Sequence, residues 1–309
     1  MNISVILPIW NADRWLKDCL DNILLQTMDD FEVICVNDAS SDKSKEILNE
    51  YHLKDKRIIV INHETNMRVA YSRNEAFKAS SGKYIVYVDS DDLIIEKDFF
   101  KDCIEKFEAN ENVDIVIGKC LMVNNPKNLS FKELLAVQPV QMKAMNTFEQ
   151  DAKQFNIASP KYLLLTKNAQ MLWGRAFRKS FLEKMNISFP TYDEFKHFGT
   201  DTLVVPFTYI YAKKIDFIFK NIYLYNFHSS STCYGKVYGN TTDEEKKKWI
   251  PEWYAKKIVE LNRDGVLTDN ISPLIKFLRK VYSNTELNDH IWLYDNLLKP
   301  YGFDLNEVL

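Results

Sequence analysis

Glycine is scarce in this chain, with eight in 309 residues, and none falls in a GxGxxG or GxxxxGK(S/T) pattern. Without a glycine cradle to bring backbone N–H groups against a pyrophosphate, neither dinucleotide binding nor a P-loop is supported, so a phosphate-bearing ligand would need a cation. The five cysteines, Cys19, Cys35, Cys103, Cys120 and Cys233, lie far apart with no CxxC pair. An odd, scattered set indicates neither a disulfide framework nor a zinc site, and a reducing cytoplasm is expected. Basic residues are not in excess: 40 Lys and Arg stand against 43 Asp and Glu, a net charge of -3. That is no footprint for a phosphate backbone, so nucleic acid is not an expected partner. No apolar stretch is long enough to span a bilayer. The opening "MNISVILPIW" is too short and lacks the basic leader of a signal peptide.

What is present is apolar mass in an ordered pattern. At 46% hydrophobic and 13% aromatic, the chain can bury one large core, or that and a smaller companion. "ISVILPI", "FEVICVND", "RIIVIN", "KYIVYVD" and "VDIVIG" read as strands. Between them "RWLKDCLDNILLQ", "KSKEILNEY", "RVAYSRNEAFKAS" and "EKDFFKDCIEKFEAN" carry helical periodicity. Strand and helix alternating over residues 1–118 predict an α/β fold, a Rossmann-like, mostly parallel sheet flanked by helices. Residues 119–168 read as an irregular insertion with some helix. From residue 241 a mainly helical C-terminal extension is expected, with a weak boundary near residue 230.

The fourth strand runs into "DSDDL", placing Asp89, Ser90, Asp91 and Asp92 at its C-terminal end. Ligands of open α/β sheets sit at such ends, and converging carboxylates suit hard cations such as Mg²⁺ or Mn²⁺, which suit phosphate oxygens. The competing reading is that these acids cap the helix beginning near Glu96.

The blocks "VILPIWN", "VICVNDASSDKS", "SRNEAFKASSGKYIVYVDSDDLI" and "GTDT" together resemble the family 2 glycosyltransferases of the GT-A fold, inverting enzymes that use nucleotide-diphosphate sugars. The resemblance covers residues 1–118 and 169–232, and implies a GT-A domain over 1–230. Its nucleotide-sugar half would be 1–118 and its acceptor half 119–230, with the helical region at 231–309.

By that resemblance, Pro8, Trp10 and Asn11 line the nucleotide pocket, Asp38 accepts the imide N–H of uracil, and Arg73, beside Asn74, sits by the base or diphosphate. Asp89 reaches the ribose next to Ser90, Asp91 ligates the metal, and Asp92 holds the loop or orients the donor sugar. Asp201 is the base, His228 a second metal ligand, and Trp173 and Arg175 shape the acceptor site. Each has a plainer alternative: core packing for Trp10 and Trp173, an Asx turn for Asp38, a solvated charge for Arg73, a helix cap for Asp201, a surface position for His228. Three positions depart from the family: Arg68 stands where relatives usually carry glycine, Ser72 where they carry alanine, and Thr200 where they carry glutamate.

The implied activity is transfer of a hexose, glucose favoured, from a UDP-sugar to a hydroxyl of a glycan or polyprenyl-linked glycan in bacterial surface-glycan assembly. The implied cofactor is Mn²⁺ or Mg²⁺. In the tail, "KKKWIPEWYAKKI" sets Trp249 and Trp253 one helical turn apart among lysines. That spacing fits packing on the main domain, or peripheral contact with the inner membrane face. Three rivals remain at this level: a haloacid-dehalogenase-like phosphatase reading "DSDDL" as its nucleophile motif, a sugar-nucleotide or glycan-binding module without turnover, and a nucleotidyltransferase.

Overall fold

The computed structural model describes residues 1–125, 127–133, 142–144, 171–186, 188–189 and 200–230. The tail tryptophans and the expected helical extension lie outside them. No helix among the described residues is long and apolar enough to cross a membrane.

The first four strands fall where the pattern places them: β1 (Ile3–Ile9), β2 (Phe31–Asn37), β3 (Ile58–Asn62) and β4 (Tyr84–Tyr87). They pair in parallel in the order β3-β2-β1-β4. Every residue of β1, β2 and β4 is buried, as expected for strands covered on both faces. Helix α1 (Leu16–Leu24) buries Leu16, Cys19, Leu20 and Ile23, the i, i+3, i+4, i+7 stripe of an amphipathic helix. Next come α2 (Ser44–Lys54), α3 (Arg68–Ala79) and α4 (Phe99–Ala109). Phe99, Phe100, Cys103 and Phe107 of α4 join the same core, where Phe107 stacks on Tyr84 at 4.3 Å.

Past residue 90 the sheet becomes mixed. A two-residue strand, β5 (Leu93–Ile94), precedes α4. Strand β6 (Val113–Asn125) continues seven residues beyond the expected "VDIVIG", so the start of the presumed irregular insertion is strand. Its second half is held by β9 (Lys214–His228), which pairs with it in parallel along its whole length. The short β7 (Met142–Ala144) joins β6 from the other side, and β8 (Arg175–Arg178) inserts antiparallel between β4 and β6. Among the described residues two helices, α5 (Lys179–Met185) and α6 (Thr200–Tyr211), separate β8 from β9. Close approach explains two of the few glycines. A Cβ on Gly118 would lie 2.2 Å from Ile222 Cγ1, and Gly174, at φ +70°, would place one 2.3 Å from Cys120 Sγ.

The N-terminal end of the sheet is closed by a buried carboxylate. Glu32 Oε1 accepts from Ser4 Oγ at 2.6 Å, Ser81 N at 2.7 Å and Ser81 Oγ at 2.9 Å, and Ser4 Oγ accepts from Gly82 N at 2.8 Å. Burial pushes the Glu32 pKa up, but these hydrogen bonds outweigh it and lower the pKa. A lowered carboxylate pKa stabilises the fold above the unfolded-state value of about 4.3, and that contribution is lost as pH falls through the folded-state value. Glu32→Gln is therefore expected to cost about 1–3 kcal/mol at neutral pH and less in acid. Urea unfolding of both proteins at neutral and acid pH measures this, and an equal cost at both would remove the ionised form from the account.

Candidate active site

The C-terminal ends of β1, β2 and β4 open on one side of the sheet. Past β1, Pro8 is buried within the strand, whereas Trp10 is 56% exposed. Its ring is a free flat face, not a core residue. Asn11 adopts φ 51°, and its Oδ1 accepts from Ser41 N at 2.8 Å, fastening the β1 turn to the loop after β2. In that loop Asp42 accepts from the N–H of Ser44 two residues on, an Asx turn at the start of α2.

Asp38, directly after β2, is 3% exposed. Its Oδ1 accepts from Met67 N at 2.7 Å and His63 Nδ1 at 2.7 Å, and its Oδ2 from Arg68 N at 2.8 Å. The carboxylate thus faces the first backbone N–H groups of α3, where negative charge is favoured. Three of its roughly four acceptor positions are used. His63, which sequence reasoning did not single out, also contacts Glu75 through Nε2.

Arg68 adopts φ 73°, the left-handed region that favours glycine. The family's usual glycine thus has a backbone reason, and this chain accepts a strain of about 1 kcal/mol to place a side chain there. Ser72 Oγ donates to the Arg68 carbonyl at 3.1 Å, so two of the departures are linked.

The three aspartates after β4 separate into three roles, none of them capping α4, which starts at Phe99 after Asp98. Asp89 Oδ1 accepts from Arg73 NH2 at 2.9 Å. Arg73 NH1 donates to Asp201 Oδ1 in the first turn of α6, so one guanidinium joins the end of β4 to the start of α6. Arg73 is 4% exposed and its Nε has no hydrogen-bond partner among the described residues. Burial works to lower its pKa, and the charges of Asp201 and Asp89 outweigh this and raise it. Burial pushes Asp89 up to about 6, opposed by Arg73 and reinforced by Asp201 and Asp91. Behind them, Asn74 exchanges two hydrogen bonds with the backbone of Phe189, at 2.7 and 2.9 Å, and the Phe189 ring lies 5.4 Å under the Arg73 guanidinium.

Asp91 meets His228, the last residue of β9, with Oδ2 and Nε2 2.8 Å apart. His228 is 2% exposed, stacks on Trp15 at 4.2 Å and contacts Ser230 Oγ through Nδ1. It is no surface residue: the fold brings it beside Asp91 across 137 positions. One carboxylate oxygen and one imidazole nitrogen suit Mn²⁺ or Mg²⁺ when a diphosphate supplies further oxygens. Among the described residues no group of three or more His, Cys, Asp or Glu side chains could hold a metal alone.

Asp92 is fully buried, its Oδ2 accepting from Tyr223 OH at 2.7 Å and its Oδ1 from Asn226 N at 2.8 Å. Of the two roles expected for it, these contacts perform the loop-holding one. Tyr223 OH also accepts from Asp89 N at 3.2 Å. Ser90 is buried at 9% exposure. Of the two residues expected at the acceptor, Trp173 stacks on Tyr223 and Tyr225 at 5.2 Å from each. Arg175 donates to Tyr209 OH and to the Trp173 carbonyl, both at 2.9 Å. Both side chains are buried, Trp173 in the packing that is the plainer of its readings.

Residues 4–183 match the family described as glycosyl transferase family 2. Over 229 residues the chain is 28% identical to the putative glycosyltransferase EpsH of Bacillus subtilis (strain 168), covering 74% of this chain and 62% of that one. Over 221 residues it is 30% identical to the poly(ribitol-phosphate) beta-glucosyltransferase of Bacillus spizizenii, covering 70% of this chain and 30% of that one. The chain thus spans less than two thirds of the length of these relatives. Residues 1–349 of S. aureus TarS, solved in complex with UDP-GlcNAc, superpose with a TM-score of 0.63 at 23% identity over 91% of this chain and 74% of that one. This likeness extends the shared fold beyond the matched segment. With its sheet and more than half its length in agreement, the chain belongs to glycosyl transferase family 2 and has the GT-A fold.

Proposed function

We propose that this protein is an inverting, metal-dependent glycosyltransferase that moves a hexose from a UDP-sugar to a hydroxyl of a glycan or polyprenyl-linked glycan in bacterial surface-glycan assembly. The observation that carries the reading is the meeting of Asp89, Asp201 and Arg73 beside the Asp91–His228 pair. In this reading Asp201 accepts the proton of the acceptor hydroxyl as its oxygen bonds to the anomeric carbon. The bond from that carbon to the diphosphate breaks, and its electron pair leaves on the diphosphate oxygen. Attack opposite the leaving group turns an α-linked donor into a β-linked product. Arg73 holds Asp201 in place for this, and positioning supplies much of the rate.

Asp91 and His228 would hold Mn²⁺ or Mg²⁺, which when bound offsets charge growing on the leaving diphosphate. Trp10 offers its ring to the base, Asp38 its remaining acceptor position to the uracil N–H, and Asp89 its second oxygen to the ribose. The uridine donor is supported by the UDP-GlcNAc complex of TarS, and glucose by the activity in the Bacillus spizizenii name. We assign the catalytic domain to residues 1–230 and the site of action to the cytoplasm. The phosphatase alternative is disfavoured by Asp89, which follows the fourth strand and is tied to Arg73.

Calorimetry with UDP-sugars in Mn²⁺ or EDTA tests this. Binding confined to uridine donors is expected, at least tenfold weaker in EDTA and in Asp91→Ala, in line with the loss of one charge-assisted contact. Binding indifferent to both would remove Asp91 from metal ligation.

A further inference from the structure

The ring of His63 lies just past β3 between two carboxylates, Asp38 on Nδ1 and Glu75 on Nε2. Ionised carboxylates only accept hydrogen bonds, and a neutral imidazole has one N–H to give. Both contacts are hydrogen bonds only if both ring nitrogens carry protons, so the arrangement calls for an imidazolium. The charged and titratable groups facing the ring are Asp38 from the end of β2, and Glu75 and Tyr71 from α3, the Tyr71 ring meeting it edge-on at 5.5 Å. The His63 backbone N–H donates to the Asn37 carbonyl at 3.0 Å, fixing the ring's base to β2. Burial works against the charge, and the hydrogen bonds and charges of Asp38 and Glu75 outweigh it, raising the His63 pKa.

We infer that His63 is a positioning residue for nucleobase recognition: its imidazolium, held from behind by Glu75, fixes the Asp38 carboxylate in the orientation that accepts the base N–H. The inference rests on the assignment of Asp38 to uracil made above. His63 touches no substrate and acts through Asp38. The two carboxylates differ in access: the Asp38 side chain is 4% exposed and that of Glu75 37%. Asp38 therefore has no water to replace a lost donor, while Glu75 does. A raised pKa means the imidazolium contribution is complete at low pH and is lost as pH rises through the folded-state value. Uridine affinity should fall in the same direction.

The test is calorimetry of UDP with Mn²⁺ on the full chain, from about pH 6.5 to about 8.5, for the parent, Glu75→Gln and His63→Gln. A glutamine amide can donate to Nε2, so in Glu75→Gln a neutral ring protonated at Nδ1 satisfies both partners. Parent affinity is expected to fall about fivefold across the window as a charged hydrogen bond becomes a neutral one. Glu75→Gln, whose neutral ring gives Asp38 only a neutral bond, should show a flat profile at the parent's high-pH affinity, and His63→Gln should show the weakened affinity throughout. Ligand ionisation is common to all three proteins and cancels in the ratios. A flat parent profile, an unchanged slope in Glu75→Gln, or parent-like binding in His63→Gln would each overturn the inference while leaving the uridine donor standing. Failure of the parent to bind UDP at any pH would instead remove the donor assignment, and this inference with it.

Discussion

Asp201→Asn is expected to bind UDP-sugar as the parent does and to transfer it about 10³-fold more slowly, the middle of the range for loss of a general base. The substitution changes little else. Asparagine keeps an oxygen that can accept from Arg73 NH1, so the link from α3 to the first turn of α6 survives, as does the bond from Arg73 NH2 to Asp89. What is lost is the basicity that lets the residue keep a proton. The comparison to make is kcat against donor Kd: a fall in kcat at constant Kd places Asp201 in the chemical step. Turnover within about fivefold of the parent, well under the smallest effect expected of a base, would return Asp201 to the helix-capping role its sequence context also allows.

The largest effect on stability is expected from Arg73→Met. The guanidinium is 4% exposed and separates two carboxylates whose side chains are 30% and 22% exposed. Removing it leaves Asp89 and Asp201 facing each other uncompensated. Breaking a buried pair by removing one partner costs about 3–5 kcal/mol, and because water reaches both acids the low end, about 3 kcal/mol, is expected. For a domain of this size that is a drop in Tm of roughly 6–12 °C. Arg73→Lys should recover only part of it, since one ammonium cannot present two separate N–H edges to two carboxylates. In a double-mutant cycle, Asp201→Asn should cost less on the Met background than on the parent, because it then relieves a repulsion. Simple additivity, or an Arg73→Met protein as stable as the parent, would mean the guanidinium is not what holds these acids together.

The parts of this molecule that could be read from its sequence are those fixed by local pattern. Apolar runs broken inside only by Ser4 and Glu32 placed β1, β2 and β4, and the acids after β4 announced the candidate site because three carboxylates in four positions seldom serve packing alone. The second half of the sheet was less legible. Strand β8 is antiparallel and set between two strands distant in sequence, and the extension of β6 exists because β9 pairs with it. Neither fact has a local signature.

The site shows the same division. Asp91 and His228 were each visible, and only the fold joins them. His63 was invisible, a lone histidine after a strand whose meaning depends on Glu75 one α3 face away. Trp173 could be named but not oriented, and its stacking on Tyr223 and Tyr225 makes it part of the wall. Arg68 was legible as a departure from the family, while its left-handed backbone, which makes the departure matter, was not.

Strand β9 anchors the acidic run at three points within six residues: Tyr223 OH and Asn226 N on Asp92, and His228 on Asp91. Strand alternation makes each of these positions depend on the count of residues before it. Between Tyr223 and His228 the gene can therefore exchange one codon for another far more freely than it can gain or lose one. A single in-frame deletion there would turn His228 away from Asp91, while the residue moved into the place of Asn226 would still offer Asp92 a backbone N–H, so the pair would be broken without altering any acidic residue.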